Sequence, residues 1–312
     1  MEKLSTINYD QAQNYLIFQA RPLDRALFRY HFEHGTIQKV MFELAQYQNS
    51  DGGFGNALEP DMRSPSSSAL ATEIALRILV ELGVPSQNPL VVSAISYLLK
   101  TLHPMTKTWR VVPQDANEYP HAPWWHDEAG SLAKTFCDFK VIPRAGILAA
   151  LRHYPNLLPE GWLNKLTKST ISDLLEMELD SFSGGGDSVV YAQRFAEAPG
   201  LSRKIRTKLR DRIRQIADHI VTRDEASWSQ YSAAPLKLAP TPKNTIADTL
   251  ADCLPANLNF LVESQNPEGF WDVTWSWVDY PDDWEIAKTE WRGILTLEAL
   301  MTLQAYERIE NR

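Results

Sequence analysis

The chain has 312 residues, of which 44% are hydrophobic and 22% charged, and its formal net charge is −8. That composition supplies a sizeable core, and the acidic balance argues against a nucleic-acid binder, whose affinity rests on neutralising phosphates. There is no apolar run long enough for a membrane span, no leader core in the opening MEKLSTINYD, and only two distant cysteines, Cys137 and Cys253. A cytoplasmic protein without a disulfide framework is therefore expected.

Apolar residues recur at helical spacing along most of the chain. Helices are expected first at 9–19, 22–33 and 37–48, the last with Ile37, Val40, Met41, Leu44 and Ala45 on one face. The next, 65–82, carries Leu70, Ile74, Ile78 and Leu82 with Ala71, Ala75 and Leu79 beside them, a stripe wide enough for burial on most sides. Ser64-Pro65 would open it and Gly83 close it. Further helices are expected at 88–101, 142–153, 160–178, 188–197, 202–221, 245–262 and 287–307, with a kink or break at Pro255. The basic residues of 203–214 interleave with Ile205, Leu209 and Ile213, the pattern of an outer helix with a solvated charged face. No alternating strand pattern stands out. The long loops at 103–127, 180–187, 222–244 and 266–284 are rich in Trp, Tyr, Pro and Gly, and long loops in a helical protein tend to carry function.

Two corners repeat. YQNSDGGFG at 47–55 and SQNPEGFWD at 264–272 each end a helix in Gln-Asn, then place an acid (Asp51, Glu268), a glycine and an aromatic (Phe54, Phe270). The two Gln-Asn pairs lie 217 residues apart, which divides into four units of about 54 residues, each long enough for two helices and their loops. Glycine can take the left-handed cap, and the Gln side chain can tie the carbonyls that a helix end leaves unpaired. An architectural role explains these residues better than a catalytic one.

These Gln/Gly/aromatic corners resemble the repeats of terpenoid cyclases and protein prenyltransferase β subunits. The segments GGFGNALEPDMRSPSSSALAT, HAPWW, WSQYSAAPLKLAPTP and EWRGILTLEALMTLQAYERI also look like bacterial proteins called prenyltransferase-like by fold. The resemblance implies an all-α (α/α)6 toroid, with six inner and six outer helices around a central cavity, over residues 1–312 as one domain. It does not bring an activity with it. The zinc ligands of the prenyltransferases are incomplete, because no histidine follows Asp252-Cys253; DDWEI at 282–286 lacks the third Asp of a class I synthase; and DYPDD at 279–283 has one residue too many for a class II cyclase.

Two features remain as chemistry. The first is Glu59-Pro60-Asp61-Met62-Arg63. If Pro60 keeps this run extended, Glu59, Asp61 and Arg63 share one face. Two carboxyls held close cannot both ionise easily, so one can serve as an acid, with Arg63 tuning the other. A salt-bridged loop pinning a helix start is the competing explanation. The second is aromatic: Trp271, Trp275, Trp277, Trp284 and Trp291 crowd into 21 residues, Trp124-Trp125 sit beside His121, and Trp228 near Tyr231. Such rings could line a cavity or simply pack between helices. His121, His126, Asp127 and Glu128 match no metal spacing, and SFSGGGDS at 181–188 lacks the end of a phosphate loop, although Asp187 could still face the cavity.

The expected protein is thus a cavity enzyme with Glu59, Asp61 and Arg63 as catalytic residues and no predicted cofactor or metal. A small-molecule substrate would be bound by His121, Trp124, Trp125, Asp187, Trp228, Tyr231, Trp271, Trp275 and Trp277. Acid-initiated chemistry on an isoprenoid-like substrate is the leading reading; a carbohydrate-active or sugar-binding toroid and a non-catalytic helical scaffold are the alternatives. Mostly aliphatic and aromatic walls would favour the first, several Asn, Asp and Arg side chains between stacked rings the second, and the lack of a pocket the third.

Overall fold

Short polar side chains start many of the helices. Ser5, Thr36, Ser68 and Ser202 each accept the N–H three residues on, and Asn88 the N–H two residues on, satisfying donors a helix start would otherwise leave unpaired. The structure is a computed structural model that describes residues 2–182 and 184–311; Ser183, in the 181–188 turn, lies outside the described residues. Its helices are α1 (Thr6–Phe18), α2 (Pro22–Phe32), α3 (Ile37–Ala45), α4 (Ala69–Glu81), α5 (Pro89–Thr101), α6 (Ser131–Thr135), α7 (Arg144–Leu151), α8 (Trp162–Glu176), α9 (Asp187–Glu197), α10 (Arg203–Ile220), α11 (Pro235–Leu238), α12 (Leu254–Glu263) and α13 (Pro281–Ala305). The described residues form only isolated bridges and no strand, and no helix among them is long and apolar enough to cross a membrane.

Three local expectations are corrected. The wide-faced helix begins at Ala69 under a Ser68 cap, not at Ser64-Pro65: the Ser64 hydroxyl accepts from the Ser66 N–H (3.1 Å) while donating to Asp115 (3.1 Å), which holds 64–66 in a turn ahead of the helix. Pro255 does not kink a helix: it sits in the first turn of α12, where its missing N–H costs nothing, and the residues before it are turns. The short helix α11, inside a loop by sequence, begins at Pro235 and holds only four residues, too few for a periodic signal.

Helices pack in hairpins and onto the next hairpin. Helix α2 packs on α1, α3 and α13; α4 on α5 and α7; α7 on α8 and α9; α9 on α10 and α11; and α11 on α12. One core runs from Leu4 to Leu303. A second, around Met62, Val111, Trp125, Ile142, Trp277 and Trp284, lies beneath the long loops and fixes them to one another.

The two corners are superimposable in their bonding. Gln48 Nε2 donates to the carbonyls of Gly52 (3.0 Å) and Leu90 (3.2 Å), and Gln265 Nε2 to those of Gly269 (3.0 Å) and Asn8 (2.9 Å). Each glycine is left-handed, with φ of 92° and 98°. Each corner then hangs on a threonine in the following long helix: the Phe54 N–H donates to Thr72 Oγ1 (3.0 Å) and the Trp271 N–H to Thr296 Oγ1 (3.1 Å). The structural equivalent of Phe54 is therefore Trp271, and not Phe270 as the sequence alignment of the corners has it.

Candidate functional site

The acidic loop leaves the first corner and reaches α4. Residues 59–62 are not extended: the Met62 N–H closes a turn on the Glu59 carbonyl at 3.2 Å. Only from Met62 onward does the chain lie flat, paired with the His121 segment through Ala122 N–H to Asp61 O (2.8 Å) and Arg63 N–H to Pro120 O (3.0 Å). The turn still brings the two carboxyls together, and it buries them, Glu59 to 8% and Asp61 to 3% exposure. Arg63 forms an ion pair with Glu290 on α13, its Nη1 at 2.5 Å, while its charge still acts on both carboxyls. The expected shared face of three is thus a buried pair with a flanking ion pair.

Indoles surround the pair. Asp61 Oδ1 accepts from Trp277 Nε1 (3.0 Å) and Trp291 Nε1 (2.8 Å). Trp275 lies near enough to favour the ionised form of Asp61, and Trp125 does the same for Glu59, although neither N–H completes a hydrogen bond. Trp275 stands edge-on to Trp291, with centroids 5.2 Å apart, and to Tyr231 at 6.1 Å.

Burial decides the electrostatics. Removal from water, then the charge of Asp61, pushes the Glu59 carboxyl well above its usual range. Burial also raises Asp61, to about 6, against the opposing pull of the Trp291 and Trp277 donors and of Arg63. Burial thus favours the neutral form of Glu59, whose buried Oε2 has no hydrogen-bond partner. Asp61 ionises more readily, with its charge spread onto two indoles. This is an arrangement in which one carboxyl is poised to give a proton and its neighbour to receive one.

The remaining expected residues divide. Asp187 and Tyr231 join the site: the Tyr231 hydroxyl donates to Asp187 Oδ2 at 2.6 Å, Lys237 pairs with Asp187 at 3.0 Å, and the Asp61 charge contributes to raising Tyr231. His121 lies in the segment paired with Met62, its ring stacked on His126 at 5.3 Å and near Tyr280 at 5.7 Å, while Trp124 is half-buried against the second core. Trp228 and Trp271 do not join. Trp228 donates to Thr222 O (2.7 Å) and packs edge-on to Phe260, and Trp271 donates to Leu261 O (2.7 Å) in the main core. Each ring satisfies its N–H on backbone and fills space between helices. Asp127 pairs with Arg110 rather than completing a metal set with the histidines.

A second group of charges was not anticipated from sequence. Glu73 on α4, buried, accepts from the Tyr191 hydroxyl (3.2 Å) and lies 3.5 Å from Arg194 of α9. Glu298 of α13 feels the charges of Arg77 on α4, Arg194 on α9 and Lys237 on α11. Glu298 is solvent-accessible by surface, yet protein surrounds it closely enough to raise its carboxyl by desolvation. Tyr231 is likewise 53% exposed and desolvated. The clue available in sequence was spacing: Trp291 and Glu298, and Asp187 and Arg194, are each seven residues apart, on one face of a helix. A separate groove of about 850 Å³ beside the first corner, lined by Asp51, Ser67, Tyr97 and Asp115, contains none of the expected site residues. Neither a protein-family model nor a curated protein of known function matches the chain.

Proposed function

We propose that the chain closes into a single (α/α)6 toroid and works as a general-acid enzyme on a hydroxyl-rich, carbohydrate-like substrate held at the middle of the ring. Helices α2, α4, α7, α9, α11 and α13 would form the inner ring and α1, α3, α5, α8, α10 and α12 the outer one. Closure is supported by the corners: the first ties the end of α3 to the start of α5, and the second ties the end of α12 to α1, the next outer helix only if the row is a circle. A central chamber is supported by Glu298 and Tyr231, which have accessible surface while being enclosed by protein.

The observation that carries the function is the Glu59–Asp61 pair in its indole setting. Glu59 gives its proton to the glycosidic oxygen as the carbon–oxygen bond breaks. Asp61 takes a proton from the water whose oxygen bonds to that carbon, and transfer from Asp61 back to Glu59 restores the pair. Asp61 Oδ1 is committed to the indoles, which leaves Oδ2 for the water. The ion pairs beside the two carboxyls and Tyr231, Glu290 with Arg63 and Asp187 with Lys237, suit a polar substrate better than a hydrocarbon. The edge-on Trp275–Trp291 pair beside Asp61 favours a second reading, protonation of an isoprenoid alkene with the rings facing the cation. The two free cysteines fit a reducing compartment, the cytoplasm.

The test is incubation of the protein with a panel of neutral and acidic oligosaccharides and of squalene, with products read by mass spectrometry, for the wild type and for Glu59→Gln and Asp61→Asn. Sugar release that both variants lose is expected. Release that survives Asp61→Asn removes the pair from the chemistry, and conversion of squalene alone makes the second reading the right one.

A further inference from the structure

The inner helices are charged at two levels. Residues seven apart on a helix share a face and lie about 10 Å apart along it, two turns on. On α13 the upper residue, Trp291, holds Asp61, and the lower one is Glu298. On α9 the upper residue, Asp187, holds Tyr231, and the lower one is Arg194. The lower level is completed from α4 by Glu73 and Arg77, which follow one another by a helical turn. Helices α13 and α9 thus each put a charge two turns beyond a residue of the upper site, and α4 adds Glu73, 3.5 Å from Arg194, and Arg77, whose charge acts on Glu298.

These lower groups are poorly satisfied. Arg77 Nε is buried and has no hydrogen-bond partner. The Arg194 contact to Glu73 is 3.5 Å, long for a hydrogen bond. Glu298 has charges around it from three helices but no hydrogen bond among the described residues, and its surface is open. A purely structural ion network would close these distances, since enclosed charges are costly unless paired and hydrogen-bonded. Arg194 and Glu298, one of each sign, keep surface open to solvent, with the buried Glu73 and the unpartnered Arg77 Nε behind them, which is what a ligand site looks like before it is filled.

The sign balance selects the ligand. Glu73 and Glu298 face Arg77 and Arg194; of the other charges acting on Glu298, Lys237 is paired with Asp187 and Asp24 with Arg21. An incoming carboxylate or phosphate would meet Glu73 and Glu298 as well as the arginines. A hydroxyl donates to a carboxylate and accepts from a guanidinium at the same time, and neighbouring hydroxyls on a ring present that pattern repeatedly. We infer that Glu73, Arg77, Arg194 and Glu298 form a second recognition site, beneath the Glu59–Asp61 pair, that takes the hydroxyls of an uncharged sugar unit. This rests on the carbohydrate reading given above and specifies it: the substrate presents a neutral sugar to the lower level, while its bond to be broken lies at the upper one.

Titration calorimetry on the full chain tests it, with methyl glucopyranoside, methyl mannopyranoside and methyl galactopyranoside as neutral probes and galacturonate and inorganic phosphate as anionic ones. At least one neutral probe is expected to bind about tenfold or more tightly than either anion. Glu298→Leu and Arg77→Met are each expected to weaken it about tenfold or more, the loss of a hydrogen bond to a charged group. Glu298→Gln keeps the shape and some bonding capacity; an unchanged unfolding temperature with weaker binding separates recognition from folding. Tighter binding of an anion, no binding of any neutral probe, or unchanged affinity in both Glu298 variants overturns the inference. Glycoside cleavage by a protein whose Glu298 variants bind normally would sink the lower site alone. Failure of the wild type to cleave any glycoside would sink the enzymatic reading and leave the binding measurement standing.

Discussion

Trp291 Nε1 donates to Asp61 Oδ1 at 2.8 Å, joining residues 230 positions apart. This bond ties the acidic loop to α13, so the carboxyl is held by a helix as well as by its own loop. The indole also acts on the carboxyl's ionisation. It is a donor without charge: it favours the ionised carboxyl without bringing a counter-ion that would abolish the raised pKa. In Trp291→Phe the ring volume is largely kept and the donor is lost. The acidic limb of the pH–rate profile is expected to move upward from about 6, because burial then acts on Asp61 with less opposition. An acidic limb unchanged in that variant would mean that Asp61 does not set it.

Asp61 also makes a stability prediction. Its folded pKa of about 6 lies above the ordinary 3.8, so the folded protein binds more protons than the unfolded chain between those values. The stabilising contribution of the neutral form is complete below pH 3.8 and is lost as pH rises through about 6. Asp61→Asn keeps an acceptor for Trp277 and Trp291 and removes the charge. It is expected to be more stable than wild type at pH 8, by on the order of 2–3 kcal/mol, and to lose turnover. Urea unfolding at pH 4 and pH 8 checks it: the difference between the proteins should shrink at the lower pH. An Asn variant less stable at pH 8 would show that Asp61 is held charged by bonds stronger than its burial.

Glycine at 269 is demanded by two constraints at once. Its φ is +98°, and a Cβ there would lie 2.3 Å from the carbonyl oxygen of Gln11, which is backbone and cannot swing aside. Gly52 repeats this, with φ of +92° and a Cβ 2.5 Å from Ser93 O. Gly269→Ala is expected to cost about 3 kcal/mol or more, beyond the roughly 1 kcal/mol of a left-handed alanine alone. Gly83→Ala is the control: φ is +65° but nothing lies within 4 Å, so only the smaller cost is expected. Equal melting losses at 269 and 83 would mean that α1 can move away from the corner.

Most of the helices were legible because their apolar faces repeat over three or more turns, as in α4 and α10. What was not legible had a physical cause. Four-residue α11 is too short to show a period. The corner aromatics were read one residue out of register because Phe270 and Trp271 are adjacent rings, and only the bond from the Trp271 N–H to Thr296 shows which of them matches Phe54. Glu59 and Asp61 were found because they flank Pro60 in the loop beside the first corner, two residues apart, whereas Glu73, Arg77, Arg194 and Glu298 look in sequence like ordinary charges on helices. Their meaning depends on which face turns inward, which only the packing of the other helices decides. Trp228 and Trp271 show the opposite error: a tryptophan beside a loop carries the same letter whether it lines a site or fills a core.

Gln265 is the residue on which closure of the ring can be measured. Its Nε2 bonds to Gly269 O within the corner and to Asn8 O in α1, which is 257 positions away. Gln48 makes the matching bonds to Gly52 and to Leu90, only 42 positions away. Gln48→Ala and Gln265→Ala each remove two hydrogen bonds to backbone, and each is expected to cost about 1–3 kcal/mol. The consequences differ in place. In Gln48→Ala, faster amide exchange is expected at the start of α5. In Gln265→Ala it is expected in α1 and around the Leu4 to Arg308 backbone bond of 2.8 Å, one of the further links between the chain ends. If the helices stood in an open row, α1 would be an end helix, stabilised from one side, and its amides would exchange quickly even in the wild type. Slow exchange of α1 in the wild type, made fast by Gln265→Ala and not by Gln48→Ala, is the pattern that a closed ring requires.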